Sequence, residues 1–190
     1  MALIRKLFIL GNVFWLTGCA GPKFMSNSDG RHTALRPIPQ RQSVVILPFN
    51  DSGIAEKIDN QSAGDYFAGR LLEKFLTSGL FAHVTVGSSP QVTAALVVSG
   101  SISSLGQRSW GNRALRGNAK TSLEVTGQIR DHDDNLLLTF TKSREAQGGL
   151  VGAGGWFTAG AGQMVKQLVD WVASDVVNAV KKETNKKNAK

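Results

Sequence analysis

Ser43-Val44-Val45-Ile46-Leu47-Pro48-Phe49 is an unbroken apolar run closed by Pro48 and by the Asn50-Asp51 pair that follows. A run of this kind, without polar alternation, marks a strand covered on both faces. It is therefore expected at the centre of a sheet. Asp51 to Gln61 is polar and reads as a loop.

Downstream, Ser62-Ala63-Gly64-Asp65 has the Ser-x-x-acid form of a capping box, and Phe67, Leu71, Leu72, Phe75 and Leu76 recur at helical spacing. Ser78-Gly79 closes that helix, with Gly79 supplying a left-handed cap. His83 to Val86 reads as a short strand. From Ala95 to Ser104, Leu96, Val98, Gly100 and Ile102 alternate with Ser99, Ser101 and Ser103. Leu123, Val125 and Ile129 alternate in the same way with Glu124, Thr126 and Gln128, and Asp131-His132-Asp133-Asp134-Asn135 turns the chain into Leu136 to Thr141. These stretches predict an antiparallel meander with one polar face. A second helix from Gln163 carries Val165, Leu168, Val169, Val172, Val176 and Val180 on one stripe.

The order strand, helix, four strands, helix predicts an α/β (α+β) single domain over residues 43–182. Its mixed, mostly antiparallel sheet has about five strands, with two helices on one face. Residues 183–190 read as a disordered basic tail.

Upstream of the domain, Arg5 and Lys6 precede an apolar run from Leu7 to Leu16, the form of an export leader over residues 1–18. The run is broken by Asn12 and falls short of the about 20 apolar residues that a membrane span needs. Leu16-Thr17-Gly18-Cys19 then resembles the lipobox of bacterial lipoproteins. The resemblance implies cleavage before Cys19 and acylation of its sulfur and its new amino group. A single acyl chain holds a protein only marginally, whereas several give stable anchoring. Ala20-Gly21 after the cysteine, instead of an Asp, points to the outer membrane and its periplasmic face. Residues 19–42, with Pro22, Pro37 and Pro39 and no apolar periodicity, read as the lipidated residue and a flexible tether. Fully stretched, that tether would reach about 80 Å.

A second resemblance covers residues 43–180. Val45-Ile46-Leu47-Pro48-Phe49, Leu76-Thr77-Ser78-Gly79-Leu80-Phe81 and Val97-Val98-Ser99-Gly100-Ser101-Ile102 resemble the amino-terminal domain of TolB. They are equally similar to the curli secretion channel subunit, the penicillin-binding-protein activator lipoproteins and a large uncharacterised lipoprotein family of Gram-negative bacteria. This chain departs from the pattern at Ala94-Ala95 and at Asp133-Asp134-Asn135. The resemblance implies a periplasmic binding part, with self-assembly into rings known among the relatives.

Charge narrows the partners. The chain carries 22 Lys and Arg against 14 Asp and Glu, a formal +8. Two of those charges lie in the leader and four in residues 181–190, so residues 19–180 keep only two, a poor fit to nucleic-acid binding. Arg108, Arg113, Arg116 and Lys120, with Trp110 among them, form a stretch without an acidic residue from Leu105 to Leu123. It is a candidate for contact with lipid phosphate or anionic glycan, against the plainer reading of a solvated loop. Trp156 and Phe157, in the small-residue stretch Gly149 to Gly162, suit a bilayer interface or a neighbouring subunit, against folding over the sheet as core. That stretch matches neither phosphate-loop pattern, and the Asp131–Asp134 group lacks the spacing of a calcium loop. No cofactor, metal or catalytic residue is expected.

The resulting expectation is a non-enzymatic outer-membrane lipoprotein, a scaffold or binding component of an envelope assembly, with protein partners that include copies of itself. One alternative is an activator of a cell-wall synthase. The other, a hydrolase or small-ligand binder, requires a concave pocket lined by titratable groups of the meander.

Overall fold

The computed structural model describes residues 25–39, 41–55, 57–87, 95–107, 119–148 and 157–186. In chain order the elements are β1 (Met25–Ala34), β2 (Ser43–Ile46), α1 (Ala63–Ser78), β3 (His83–Val86), β4 (Leu96–Gln107), β5 (Ala119–Asp131), β6 (Leu136–Gly148) and α2 (Phe157–Lys186). One six-stranded sheet has the order β1-β6-β5-β4-β2-β3. β2 runs parallel to both its neighbours, β3 and β4, while β1, β6, β5 and β4 are antiparallel. The two helices pack on one face and against each other. The α+β class and the single domain agree with the sequence pattern.

The apolar run is buried as its composition demands: Val44, Val45 and Ile46 are each at most 2% exposed. It is nevertheless fifth in the sheet and not its centre, because burial on two faces reports coverage and not place in the strand order. The strand stops at Ile46, two residues before Pro48, which has no N–H to give to a ladder. Beyond it the chain still follows β4, through Leu47 N–H to Val98 O and Asn50 N–H to Gly100 O, both 2.9 Å.

Helix α1 begins where the capping box placed it. The Ser62 hydroxyl oxygen accepts from Asp65 N–H at 3.0 Å and its O–H donates back to the Asp65 carboxylate at 2.8 Å. Its end is Gly79 at φ 64°, with the Gly79 N–H bonded to Leu76 O. Phe67, Leu71 and Phe75 are wholly buried and meet Leu96 and Val98 of the sheet in one core. Two edge-on ring pairs, Phe49 with Phe67 at 4.8 Å and Phe75 with Phe81 at 5.1 Å, lock this flank. Leu168, Val169, Val172, Val176 and Val180 of α2 complete the core over Leu123, Val125, Ile129, Leu138 and Phe140.

Two expectations need correction. Residues 25–34, read as tether, form β1, which pairs with β6 from Met25 opposite Gln147 to Ala34 opposite Leu138. Residues 183–186, read as disordered tail, continue α2, with Thr184 only 2% exposed and its hydroxyl bonded to Val180 O at 2.7 Å. The two corrections share one cause. β1 extends the sheet beneath the last turns of α2, and His32 Nε2 lies 3.2 Å from Glu183 Oε1. Each polar segment therefore finds its partner in the other, 151 residues away.

Candidate functional site

Strand register brings the chain positions that flank the sequence candidates to one end of the sheet. Met25 at the start of β1 faces Gln147, Gly148 at the end of β6 faces Ala119, and Gln107 at the end of β4 faces Thr121. The chain thus enters the fold at this end six residues after Cys19. It also leaves here after Gln107, returns at Ala119 and leaves again after Gly148. Helix α2 runs from this end toward the other, since Asp175 pairs with Arg144 and the later Glu183 pairs with His32, opposite Phe140. The hairpin Asp131–Asn135 caps the far end.

Cys19, Arg108, Trp110, Arg113, Arg116 and Trp156 lie outside the described residues. Lys120 is the second residue of β5 and Phe157 the first of α2. Four features read separately from the sequence therefore share an end: the lead-in from Cys19, the two ends of the basic stretch, the last residue before Gly149, and the first turn of α2.

The remaining polar groups divide into those that hold the fold and those that do not. Between the helices, Arg70 donates to Asp170 at 2.6 Å, an interaction that raises the guanidinium pKa, and Lys166 of α2 pairs with Asp59 in the turn before α1 at 2.6 Å. Between sheet and helix, Arg144 makes a two-pronged pair with Asp175, at 2.7 and 2.9 Å, its guanidinium 5.6 Å from the centre of the Trp171 ring. In the far hairpin, ligand atoms of Asp131, His132 and Asp133 fall within 4.8 Å of one another. The Asp131 carboxylate, however, is filled by the turn's own donors, Asp133 N–H, Asn135 N–H and the Asn135 amide. Desolvation pushes its pKa up, and those bonds together outweigh it and hold the carboxyl below its usual range. This is the Asx-type turn that the sequence implied.

Sequence reasoning missed a cleft between β1, β6 and the C-terminal half of α2. Its floor carries Lys142, 9% exposed, and its rim includes His32, Asp175 and Lys182. Burial lowers the Lys142 pKa, Asp175 and Asp29 oppose the shift, and Lys182 adds to it. A signal was available. Continuing the inward alternation of Leu138 and Phe140 puts Lys142 and then Arg144 on the buried side, where apolar residues are the rule.

Known proteins supply the last comparison. No family model matches the chain, and no curated protein matches it. Solved structures do. A DUF330-family protein from Xanthomonas campestris is 13% identical and covers 82% of this chain and 94% of its own, with a TM-score of 0.58. The PelC dodecamer from Paraburkholderia phytofirmans, 14% identical, covers 78% and 96% with a TM-score of 0.52. The fold is one that Gram-negative lipoproteins use. A minor lipoprotein from Acinetobacter baumannii, 14% identical over 78% and 96%, has it too, with a TM-score of 0.50. At these identities the likeness establishes architecture, and it agrees with the lipoprotein group to which the motifs in β2, α1 and β4 pointed.

Proposed function

We propose that this protein is a lipid-anchored component of the bacterial outer membrane that acts on the periplasmic face by binding, as a scaffold within an envelope assembly. The observation that carries the reading is the gathering of the chain's lead-in and two loop junctions at one end of the sheet. With β1 starting at Met25, only five residues separate the fold from Cys19, a span of about 20 Å at full stretch. The domain is then held close to the lipid with this end toward it. Arg108, Arg113, Arg116 and Lys120 meet lipid phosphates, while Trp110, Trp156 and Phe157 enter the interfacial zone. So short an arm does not suit an activator that must reach across the periplasm.

Self-assembly has separate support. Among the described residues both outer strands of the sheet, β1 and β3, have one unpaired edge, and two apolar side chains are exposed on the β3 flank, Leu76 of α1 at 56% and Val86 of β3 at 41%. A structural neighbour is a dodecamer. Copies meeting edge to edge would form a closed ring around an axis normal to the membrane.

The test is fluorescence of the mature, acylated protein in vesicles whose lipids carry brominated chains. Trp110 and Trp156, each retained while the other is replaced by Phe, should be quenched, and Trp171 should not. Equal emission from all of them in brominated and ordinary lipid would overturn the orientation.

A further inference from the structure

The cleft beside β1 holds a charge that no other described residue pairs. Lys142 projects from β6 toward α2 and lies across Gly30 of β1, its partner in the strand register. A Cβ on Gly30 would stand 3.0 Å from Lys142 Nζ and collide with Cδ, so glycine is what leaves room for this lysine. Most of the side chain is buried, at 9% exposure, while its ammonium opens to the water of the cleft and has no hydrogen bond or ion pair to another described residue. Asp175, the acid nearest in its effect, already gives both oxygens to Arg144. Glu183 is likewise engaged, by His32 and Lys186.

An apolar residue would fill the same trough without the cost of partly desolvating a charge. The packing of this fold therefore does not require an ammonium here. Above it, Asp175, Asn178, Ala179 and Lys182 present one stripe of α2 at spacings of three and four residues, and Asp29 closes the β1 side. The space in this open cleft is about 300 Å³, at the lower end of ligand-sized sites.

We propose that this cleft binds a carboxylated sugar, its carboxylate accepting from Lys142 and Lys182 and its hydroxyls donating to Asp29 and Asn178. Charge selects the monoanion. Among the lining groups Lys142 and Lys182 stand against Asp29 and Asp175, and Asp175 is already neutralised by Arg144 from outside the lining, which leaves one positive charge for a ligand. A phosphate dianion would leave the site net negative and would face Asp29. The acceptors at the rim favour a hydroxylated carrier over a bare acid.

Sodium glucuronate, added to the mature acylated protein in lipid nanodiscs, provides the probe. The backbone amides of Gly30, Lys142 and Asn178 are followed by NMR. Saturable shifts at millimolar concentration are expected, absent with glucose and weaker with N-acetylglycine and with inorganic phosphate. Lys142→Met, which fills the trough with an apolar chain of similar length, should weaken binding about tenfold or more. The exposed Lys182→Met, which poses no threat to folding, should weaken it about threefold or more. No saturable shift with glucuronate, unchanged affinity in both variants, or tighter binding of phosphate or N-acetylglycine would each overturn the assignment.

Discussion

The two flanks of the sheet are built by different chemistry. On the α1 flank, Phe67, Leu71 and Phe75 descend onto β2 and β4, and the elements are joined by buried apolar surface and ring edges. On the β1 flank, a ten-residue strand with Asp29, Arg31 and His32 is joined to β6 by backbone pairing and to α2 through His32 and Glu183. Apolar burial is cooperative and scales with area, whereas partly exposed ion pairs contribute little each. The α1 flank should therefore set global stability, and the β1 flank should open first.

The largest effect is expected for Phe67→Ala, which removes a wholly buried ring and its contact with Phe49. It should cost about 3–5 kcal/mol in urea unfolding. A loss below about 1 kcal/mol would put the two flanks on an equal footing. Arg144→Met, at the join of β6 and α2, should cost about 1–3 kcal/mol, since it leaves Asp175 without its two-pronged partner in a site only about a fifth exposed. Smaller still is His32→Ala, at about 0.5–1 kcal/mol. Its signature is local: faster amide exchange at residues 181–186 with α1 unchanged.

Acid sharpens the same contrast. Lys186, and after it His32, hold the Glu183 carboxyl below the ordinary glutamate value against its desolvation. A carboxylate depressed in the native state stabilises the fold above its unfolded pKa, and that contribution is lost as pH falls through the native value. Glu183→Gln should accordingly flatten the acid limb of the stability profile. An unchanged acid limb would mean that the pairing adds nothing to folding.

How much of this was legible depended on whether a segment carries its partner's signal within itself. The capping box at Ser62, the Gly79 cap and the alternation of β4 and β5 report their own structure, and the helix-on-sheet arrangement follows from them. β1 and the last turn of α2 carry no apolar period, so each looked unstructured until set against the other. The same holds for Lys142. Its inward placement was readable from the β6 alternation, but the space above it exists only because Gly30, from an unrecognised strand, lies alongside. For the basic and aromatic stretches, the sequence offered the residue types, and strand register supplied a common end for the described residues that flank them.

That common end is also the most direct point of attack. β5 runs from Ala119 to Asp131, about 40 Å of extended chain, so its two ends should differ sharply in distance from the lipid. Paramagnetic broadening by gadolinium chelated to lipid headgroups, measured on the acylated protein in nanodiscs, reads that difference amide by amide. Strong broadening at Gln107, Ala119 and Gly148, with Asp133 and Asp134 spared, is the predicted result. Equal broadening at both ends, or broadening confined to the Asp131–Asn135 hairpin, would contradict a domain held with its loop junctions against the membrane.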